Sequence, residues 1–331
     1  MLKVLLTCQV SSEVGVGHLS RLLALADTLK EDNIVKPEFA IFGSLVKKSR
    51  LEEYKVHIFP IENDFTKIID SLVKEKKYST VVFDLYQKNN IDGVSSMFKQ
   101  LKNYGTTLIS IDSLVDFRNL LDLIWIPSFN FNPRLYGQDS VKFKSGWDSY
   151  LIKKRFNNKK WAPGPKILVL TGGSDTHKLS KILPDQLDKS LENDTQVHWV
   201  QGPFSDAPHL PKIPRLNWII HKSPDSIDDL IVGSHYVLTI FGVSFFEVLQ
   251  YGIPTVVFSP YGGKDEKDLD AISKQNIAMV SNSYKECHEK LIAVMKNSKL
   301  AKMYSKNALD KMTVNGAKNL ANKIYTMMGM K

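Results

Sequence analysis

Short apolar runs of strand length alternate with stretches of helical periodicity through most of this 331-residue chain. Residues 2–8 are predicted to form a first strand, and apolar residues between Leu19 and Leu29 then recur at helical spacing. Further strands are predicted over residues 39–42, 56–59, 80–83, 107–111 and 123–126, with helices over 66–75 and 94–103. This alternation predicts an α/β fold in which helices cover both faces of a parallel sheet.

The alternation stops once and then restarts. Residues 127–165 are rich in proline, asparagine, glycine and lysine, and are predicted to be connecting structure. Later strands are predicted over 166–171, 197–201, 217–220, 236–240 and 255–258, with helices over 244–251 and 286–295. We therefore predict two α/β domains, residues 1–150 and 151–331, with an amphipathic segment at 317–328 that could return to pack on the first domain.

Composition narrows the class of protein. Apolar residues make up 43% of the chain, enough for a sizeable core, and the net charge of +9 suits an anionic ligand. The lysines are scattered and form no basic stripe with interleaved aromatics, so nucleic acid is not an expected partner. Cys8 and Cys287 are the only cysteines, which excludes a disulfide framework and a paired-cysteine metal site.

The distribution of apolar residues also bears on location. The apolar stretch at the N-terminus is too short for a signal peptide, and no run approaches the roughly 18 apolar residues that cross a bilayer. A cytoplasmic location is predicted. An anionic membrane surface is the less favoured alternative to a small anionic ligand as a partner.

The loop after the first strand is the first candidate site. In an open parallel sheet, ligands bind beyond the carboxyl ends of the strands. Gly15 and Gly17 follow that strand and let a ligand approach the backbone, while the helix predicted to begin near Gly17 offers free amides to an anion. His18 lies in its first turn and could accept a proton. A plain glycine turn with a surface histidine is the alternative, and the glycines alone give it about equal weight.

The second domain repeats this pattern twice. Gly172, Gly173 and Ser174 follow its first strand, and the residues that precede a later helix are Gly242, Val243, Ser244 and Phe245. Small residues before a helix are typical of a phosphate site. Glu247, one turn further on, could accept hydrogen bonds from two ribose hydroxyls. An ordinary helix glutamate is the alternative, and it is favoured on geometry alone.

Acidic residues end two other strands of the first domain. Asp84 and Tyr86 follow one of them, and Asp112 follows another. Either carboxylate could orient His18 or bind a ligand hydroxyl. Capping of a following helix is the alternative interpretation for both.

These segments, taken in order, resemble those of one known family. Residues 15–21 match G-x-G-H-x-x-R, residues 84–86 match D-H-Y except at Leu85, and residues 172–175 match G-G-[ST]-D. Residues 146–156 are similar to G-x-x-Y-x-L-I-R-x-E-F, and Glu247 fits the acidic position of the last loop. The set resembles the UDP-sugar hydrolase of pseudaminic acid biosynthesis, a relative of the GT-B glycosyltransferases, over nearly the whole chain.

The resemblance implies a fold and a reaction. It implies a GT-B-like fold, with two Rossmann-like domains, parallel sheets and an interdomain cleft. The family hydrolyses UDP-2,4-diacetamido-2,4,6-trideoxy-β-L-altrose by inverting attack of water at the anomeric carbon, without a metal or a cofactor.

Carried over residue by residue, the resemblance also assigns roles. It makes His18 the general base, with Asp84 and Tyr86 binding or orienting the sugar and the water. The residues that it places around the substrate are Gly15, Gly17, Arg21, Asp112, Gly172, Gly173 and Ser174. It seats the diphosphate on Gly242, Val243, Ser244 and Phe245, and the ribose on Glu247.

The chain departs from the family pattern mainly in the half that binds the sugar. Leu85 replaces a histidine, Arg155 replaces an acidic residue, Phe246 replaces an asparagine, and residues 263–268 replace an Asn-Gln pair. These departures put the sugar and the acceptor in question. Two further functions therefore stay open: a GT-B glycosyltransferase that moves the sugar to an acceptor hydroxyl, and a nucleotide-sugar-binding protein without turnover. An exposed apolar patch ringed by lysines on the first domain would favour the transferase.

Overall fold

The computed structural model describes residues 2–31, 33–44, 49–85, 92–157 and 160–330. The chain divides into two compact units. Unit 1 comprises Met1–Lys153 and Val314–Lys331, and unit 2 comprises Lys154–Thr313. None of the helices in these described ranges is both long enough and apolar enough to cross a membrane.

Unit 1 is built on a seven-stranded parallel sheet. Its strands are β1 (Leu2–Val10), β2 (Val35–Gly43), β3 (Lys55–Phe59), β4 (Thr80–Asp84), β5 (Thr107–Ile111), β6 (Leu123–Ile126) and β7 (Phe143–Ser145). Its helices are α1 (Gly17–Glu31), α2 (Phe65–Lys76) and α3 (Val94–Asn103), with α10 (Gly316–Met327) from the end of the chain. The strand order is β3-β2-β1-β4-β5-β6-β7, so the order reverses between β1 and β4.

Local sequence explains where the helices of unit 1 begin and end. The Asp64 carboxylate accepts a hydrogen bond from the Thr66 amide and caps α2, and Lys77 ends α2 in a left-handed conformation. Helix α10 packs against α1, and the Tyr325 hydroxyl donates to the Leu29 carbonyl. Gly316 starts α10 so close to the Tyr150 carbonyl oxygen that a β-carbon there would lie 2.3 Å from it.

Unit 2 repeats the architecture with six parallel strands. They are β8 (Lys166–Leu170), β9 (Gln196–Gln201), β10 (Asn217–Lys222), β11 (Tyr236–Ile240), β12 (Thr255–Phe258) and β13 (Met279–Val280). The helices are α4 (Leu183–Ser190), α5 (Asp228–Val232), α6 (Val243–Leu249), α7 (Glu266–Lys274), α8 (Cys287–Lys296) and α9 (Ser298–Lys311). The order β10-β9-β8-β11-β12-β13 reverses between β8 and β11.

One part of the predicted organisation is wrong. Residues 127–165 are not connecting structure throughout, because β7 lies within this range and adds a parallel strand beside β6 in unit 1. After it, the Trp125 indole donates to the Ser149 carbonyl at 2.6 Å, which fixes the chain against the same sheet. A three-residue strand is too short to give a periodic signal, and the prolines around it favoured a loop.

Candidate active site

Two of the predicted catalytic residues, His18 and Asp84, lie where the strand order of unit 1 reverses. In doubly wound sheets, ligands bind at such a switch point, beyond the carboxyl ends of the strands. Here β1 leads through the loop at residues 11–16 into α1, and β4, its neighbour in the sheet, ends at Asp84. His18 lies in the first turn of α1. The sheet topology therefore brings His18 and Asp84 to one edge.

His18 and Asp84 form a hydrogen-bonded pair. His18 Nδ1 lies 2.5 Å from Asp84 Oδ1. The Asp84 side chain is fully buried, whereas the His18 ring keeps 18% of its surface exposed. A carboxylate can only accept, so Nδ1 carries a proton in this contact, and in the neutral form of the ring the unprotonated nitrogen is Nε2. Nε2 then carries the lone pair and can accept a proton from a group on its open side.

Arg21 pairs with the same carboxylate. Its Nε donates to Asp84 Oδ2 at 2.5 Å, and its Nη2 donates to Asp84 Oδ1. Its Nη1 lies 3.6 Å from Asp112 Oδ2. Arg21 as a whole is 8% exposed. The guanidinium therefore makes a two-pronged ion pair inside the protein, the geometry for which arginine is suited.

The charges of this cluster determine its ionisation. Burial acts to raise the pKa of the Asp84 carboxyl, but the charge of Arg21, together with the hydrogen bonds that Arg21 and His18 donate, outweighs it and holds the pKa below the usual range. Burial acts to lower the pKa of Arg21, and Asp84 more than compensates. Burial, with Asp84 nearby, raises the pKa of the Cys8 thiol. Asp84 is thus a carboxylate, Arg21 a cation and Cys8 a neutral thiol.

The glycine loop has a defined turn. Gly15 has a φ of +76°, in the left-handed region, and its amide donates to the Ser11 carbonyl at 2.7 Å. The Ser11 hydroxyl accepts from the Val14 amide at 3.2 Å. Gly17 is the first residue of α1. The chain therefore turns sharply between β1 and α1, and this turn brings His18 to the edge of the sheet.

Two other predicted residues of unit 1 have different outcomes. Asp112 follows β5, with its side chain 54% exposed, so its carboxylate is open to solvent near Arg21. Tyr86 lies outside the described residues. Of the residues that sequence patterns assigned to catalysis, the structure therefore brings together His18 and Asp84, and it adds Arg21 to them.

Unit 2 places its glycine loops at its own switch point. Gly172, Gly173 and Ser174 follow β8, and Gly242 follows β11, the neighbouring strand. Gly172 has a φ of +87°. Gly202, after β9, was not singled out from the sequence, although a β-carbon on it would lie 2.5 Å from the carbonyl oxygens of both Gly172 and Gly173. No other glycine lies near Gly202 in the sequence, so it belongs to no glycine motif that would have indicated its role.

Buried polar groups without partners accompany this glycine cluster. Within the described ranges, the hydroxyls of Thr171 and Ser174 and the side-chain oxygen of Gln201 are buried without a hydrogen-bond partner. Such groups cost free energy unless a ligand or water satisfies them. Asp175 has a structural role, because its carboxylate accepts from the amides of Leu179 and Ser180, each at 2.8 Å.

The loop before α6 contains residues that were predicted to seat the diphosphate. A β-carbon on Gly242 would meet no atom within 4 Å, so there is open space beside this residue. The Phe245 amide donates to the Gly242 carbonyl at 3.1 Å, so it is not available to a phosphate as predicted. The amides of Val243 and Ser244 precede it at the start of α6. Glu247 is half-buried on the same helix.

A cavity of about 530 Å³ lies at the carboxyl ends of β12 and β13. Ser259, Ser281 and Asn282 line it from the strand ends, and Gly262 and Glu266 from the segment that leads into α7. Its volume is in the range of small-molecule sites. Sequence reasoning noted residues 263–268 only as a departure from a family pattern. Across the described residues, no group of three or more His, Cys, Asp or Glu is arranged to hold a metal ion.

At the level of sequence, no protein-family model matches the chain. An uncharacterised protein of Methanocaldococcus jannaschii is 25% identical over 312 residues, which cover 86% of this chain and 61% of that protein, so the chain spans less than two thirds of its relative.

Solved structures resemble nearly the whole chain. MurG of Acinetobacter baumannii gives a TM-score of 0.66 at 14% identity, covering 98% of this chain and 100% of its own. MnaA of S. aureus, solved with UDP, gives 0.64 at 12% identity, covering 100% and 98%. The spinosyn forosaminyltransferase SpnP gives 0.65 at 10% identity, covering 99% of each chain. Together with the strand orders, these matches confirm the prediction of two Rossmann-like, GT-B-type units with parallel sheets.

Proposed function

We propose that this chain is a UDP-sugar hydrolase that releases UDP and free sugar by inverting attack of water at the anomeric carbon. The observation that carries the proposal is the contact between His18 Nδ1 and the buried Asp84 carboxylate. It leaves Nε2 of a partly exposed ring as a proton acceptor at the switch point of unit 1. The sequence resemblance supplies the substrate, a UDP-linked 2,4-diacetamido-trideoxy sugar.

In the proposed reaction, His18 Nε2 takes a proton from water as the water oxygen bonds to the anomeric carbon. The bond from that carbon to the diphosphate oxygen breaks, and UDP leaves as an anion that needs no proton. The Asp84 carboxylate stabilises the imidazolium that forms on His18, as the aspartate of a catalytic triad does. General-base catalysis of this kind contributes about 10²- to 10⁴-fold in rate.

We assign the nucleotide to unit 2. Its loops after β8 and β11 combine glycines, the amides of Val243 and Ser244, and the unsatisfied Ser174 hydroxyl. Amides at a helix start suit a diphosphate and stabilise it as a leaving group. MnaA, which shares the fold, was solved with UDP. Glu247 is proposed to accept hydrogen bonds from the ribose hydroxyls.

Transfer to an acceptor hydroxyl is the second candidate. One observation favours it: in unit 1, Leu135 and Val141 are 80% and 86% exposed, on a segment that also carries Arg134 and Lys142. Exposed apolar residues beside basic ones suit an acceptor carried on an anionic lipid surface. The same base would then activate the acceptor hydroxyl, and UDP release would require that acceptor.

The test is release of UDP from UDP-2,4-diacetamido-2,4,6-trideoxy-β-L-altrose supplied alone, in buffer with EDTA. Wild type is compared with His18→Ala and with His209→Ala, which changes an exposed histidine of unit 2. We expect wild type and His209→Ala to release UDP and free sugar. His18→Ala should release neither, while it still binds UDP in calorimetry.

Each other result has a definite meaning. Release that survives in His18→Ala rejects His18 as the base. UDP binding by wild type without release rejects hydrolysis of this substrate. Release that appears only when a hydroxyl acceptor is added establishes the transferase instead.

A further inference from the structure

We infer that Arg21 is a positioning residue, which fixes the Asp84 carboxylate and through it the tautomer and orientation of His18, and that it does not contact the substrate. The inference rests on the proposed role of His18 as base. It replaces the substrate-binding role that the sequence resemblance gave to Arg21.

The donors of Arg21 are already directed at protein groups. Nε donates to Asp84 Oδ2, Nη2 donates to Asp84 Oδ1, and Nη1 faces Asp112 Oδ2 at 3.6 Å. With only 8% of the residue exposed, little of the guanidinium surface can meet a ligand. A substrate phosphate or sugar could reach Nε or Nη2 only by displacing the buried Asp84 carboxylate, which would leave that charge without its partner.

The pairing restricts how Asp84 can turn. Both carboxylate oxygens accept from the guanidinium, which fixes the plane of the carboxylate as a two-pronged arginine contact does. In that plane, Oδ1 also faces His18 Nδ1 at 2.5 Å. Without Arg21, Asp84 could rotate about its side-chain bonds, and the direction of the hydrogen bond to His18 would no longer be fixed.

Arg21 also contacts the histidine directly. Its Nη2 lies 3.1 Å from His18 Nδ1, farther than the 2.5 Å between that nitrogen and Asp84 Oδ1. The guanidinium could donate only to an unprotonated Nδ1, whereas the carboxylate accepts only from a protonated one. The shorter contact assigns the proton to Nδ1. Arg21 therefore acts on Nδ1 through Asp84 and leaves Nε2 to the reaction.

The experiment that tests this inference combines a spectroscopic readout with kinetics. Nitrogen-15 NMR of histidine-labelled protein reports which ring nitrogen of His18 carries the proton, without any substrate. The variants are Arg21→Gln, which removes the charge, and Arg21→Lys, which keeps the charge but cannot donate to both oxygens in one plane. Arg50→Gln is the matched control, because Arg50 pairs with Asp27 elsewhere in unit 1.

We expect the Nδ1–H form in wild type and in Arg50→Gln, and a mixture of both tautomers in Arg21→Gln and Arg21→Lys. In UDP release, kcat should fall about 10²-fold in both Arg21 variants, the effect of a misplaced catalytic group. KM and the affinity for UDP should change less than threefold. If Arg21→Gln does not fold, Arg21→Lys, which keeps the positive charge beside Asp84, decides the question alone.

The inference is overturned if the Nδ1–H form persists in the folded Arg21 variants. It is also overturned if KM rises tenfold or more while kcat is preserved, since that result marks a substrate contact. Should none of the proteins release UDP, the proposed function fails, and the NMR comparison still decides whether Arg21 controls the tautomer of His18.

Discussion

Asp84 and His18 are 66 positions apart in the sequence, yet Asp84 Oδ1 lies 2.5 Å from His18 Nδ1. The contact exists because β1 and β4 are neighbours in the sheet, with Cys8 paired to Asp84 in register, while α1 starts just beyond β1. The backbone thus brings the two residues together, and Asp84 is fully buried where they meet.

Replacing Asp84 by asparagine should abolish most of the activity without loss of nucleotide binding. An asparagine can donate to Nδ1 and so favours the wrong tautomer of His18, a change that costs about 10⁴-fold in kcat in a serine protease triad. We expect a loss of about 10³- to 10⁴-fold in UDP release, with unchanged calorimetric affinity for UDP. Asp116→Asn, at an exposed position of the same unit, is the control. Activity of Asp84→Asn within tenfold of wild type would argue against the pair as the catalytic base.

The Asp84 ion pair should make the local stability of unit 1 depend on pH in acid. In the folded protein, the pKa of the Asp84 carboxyl lies below its usual value of about 3.9. The ion pair therefore contributes its full stabilisation above about pH 4, and this stabilisation is lost as pH falls through the folded pKa. Hydrogen exchange of the β4 peptide, measured by mass spectrometry, should therefore quicken at the lowest pH more in wild type than in Asp84→Asn. Parallel pH profiles for the two proteins would contradict this prediction.

Gly202→Ala should destabilise unit 2. Its β-carbon would lie 2.5 Å from two backbone carbonyl oxygens, of Gly172 and Gly173, and backbone cannot move aside as cheaply as a side chain. We expect a loss of about 1–3 kcal/mol in the free energy of unfolding, measured by urea denaturation. In Gly263→Ala, the nearest atom is Glu266 Oε2 at 3.6 Å, an ordinary contact, so this variant should unfold as wild type does. Equal midpoints for the two variants would show that the loop relaxes freely.

Glu247→Gln should weaken recognition of the ribose specifically. Hydrogen bonds to a charged acceptor contribute about 1.5–3 kcal/mol, which corresponds to roughly 10- to 100-fold in affinity. Wild type is therefore expected to bind UDP more tightly than 2′,3′-dideoxy-UDP, and Glu247→Gln to bind both with similar affinity in calorimetry. The control is Glu289→Gln, an exposed glutamate in the first turn of α8. If Glu247→Gln still binds UDP more tightly than 2′,3′-dideoxy-UDP, the ribose does not bind at Glu247 of α6.

The fold could be predicted from the sequence because its signals are local. The runs at the centres of β1, β4 and β11 are buried and mostly apolar, and the helical periodicity of α2 and α3 is strong enough to place both within about a residue of the structure. The strand β7 was not predicted, because a run of three residues is too short to show a periodicity. Its place in the sheet depends on the packing of Phe143 among residues distant in sequence.

The site was harder to predict, because pairing between distant residues decides it. Sequence spacing gave His18 and Asp84 as candidates, but it could not show that Arg21 is directed at Asp84 and away from a ligand. It also could not show that the Phe245 amide is unavailable to a ligand, because a turn directs this amide to the Gly242 carbonyl. Position 202 requires a glycine because two loops approach closely there, and the sequence of neither loop indicates this approach.

Helix α10 closes unit 1 with residues that follow the whole of unit 2 in the chain. During synthesis, the residues of unit 2 leave the ribosome before the apolar face of α10, with Leu320 and Ile324 in its core, has been translated. Until then the α1 surface that receives this helix has nothing to cover it. The first unit, which carries His18 and Asp84, is therefore completed only by residues translated after unit 2, while unit 2 is one continuous segment.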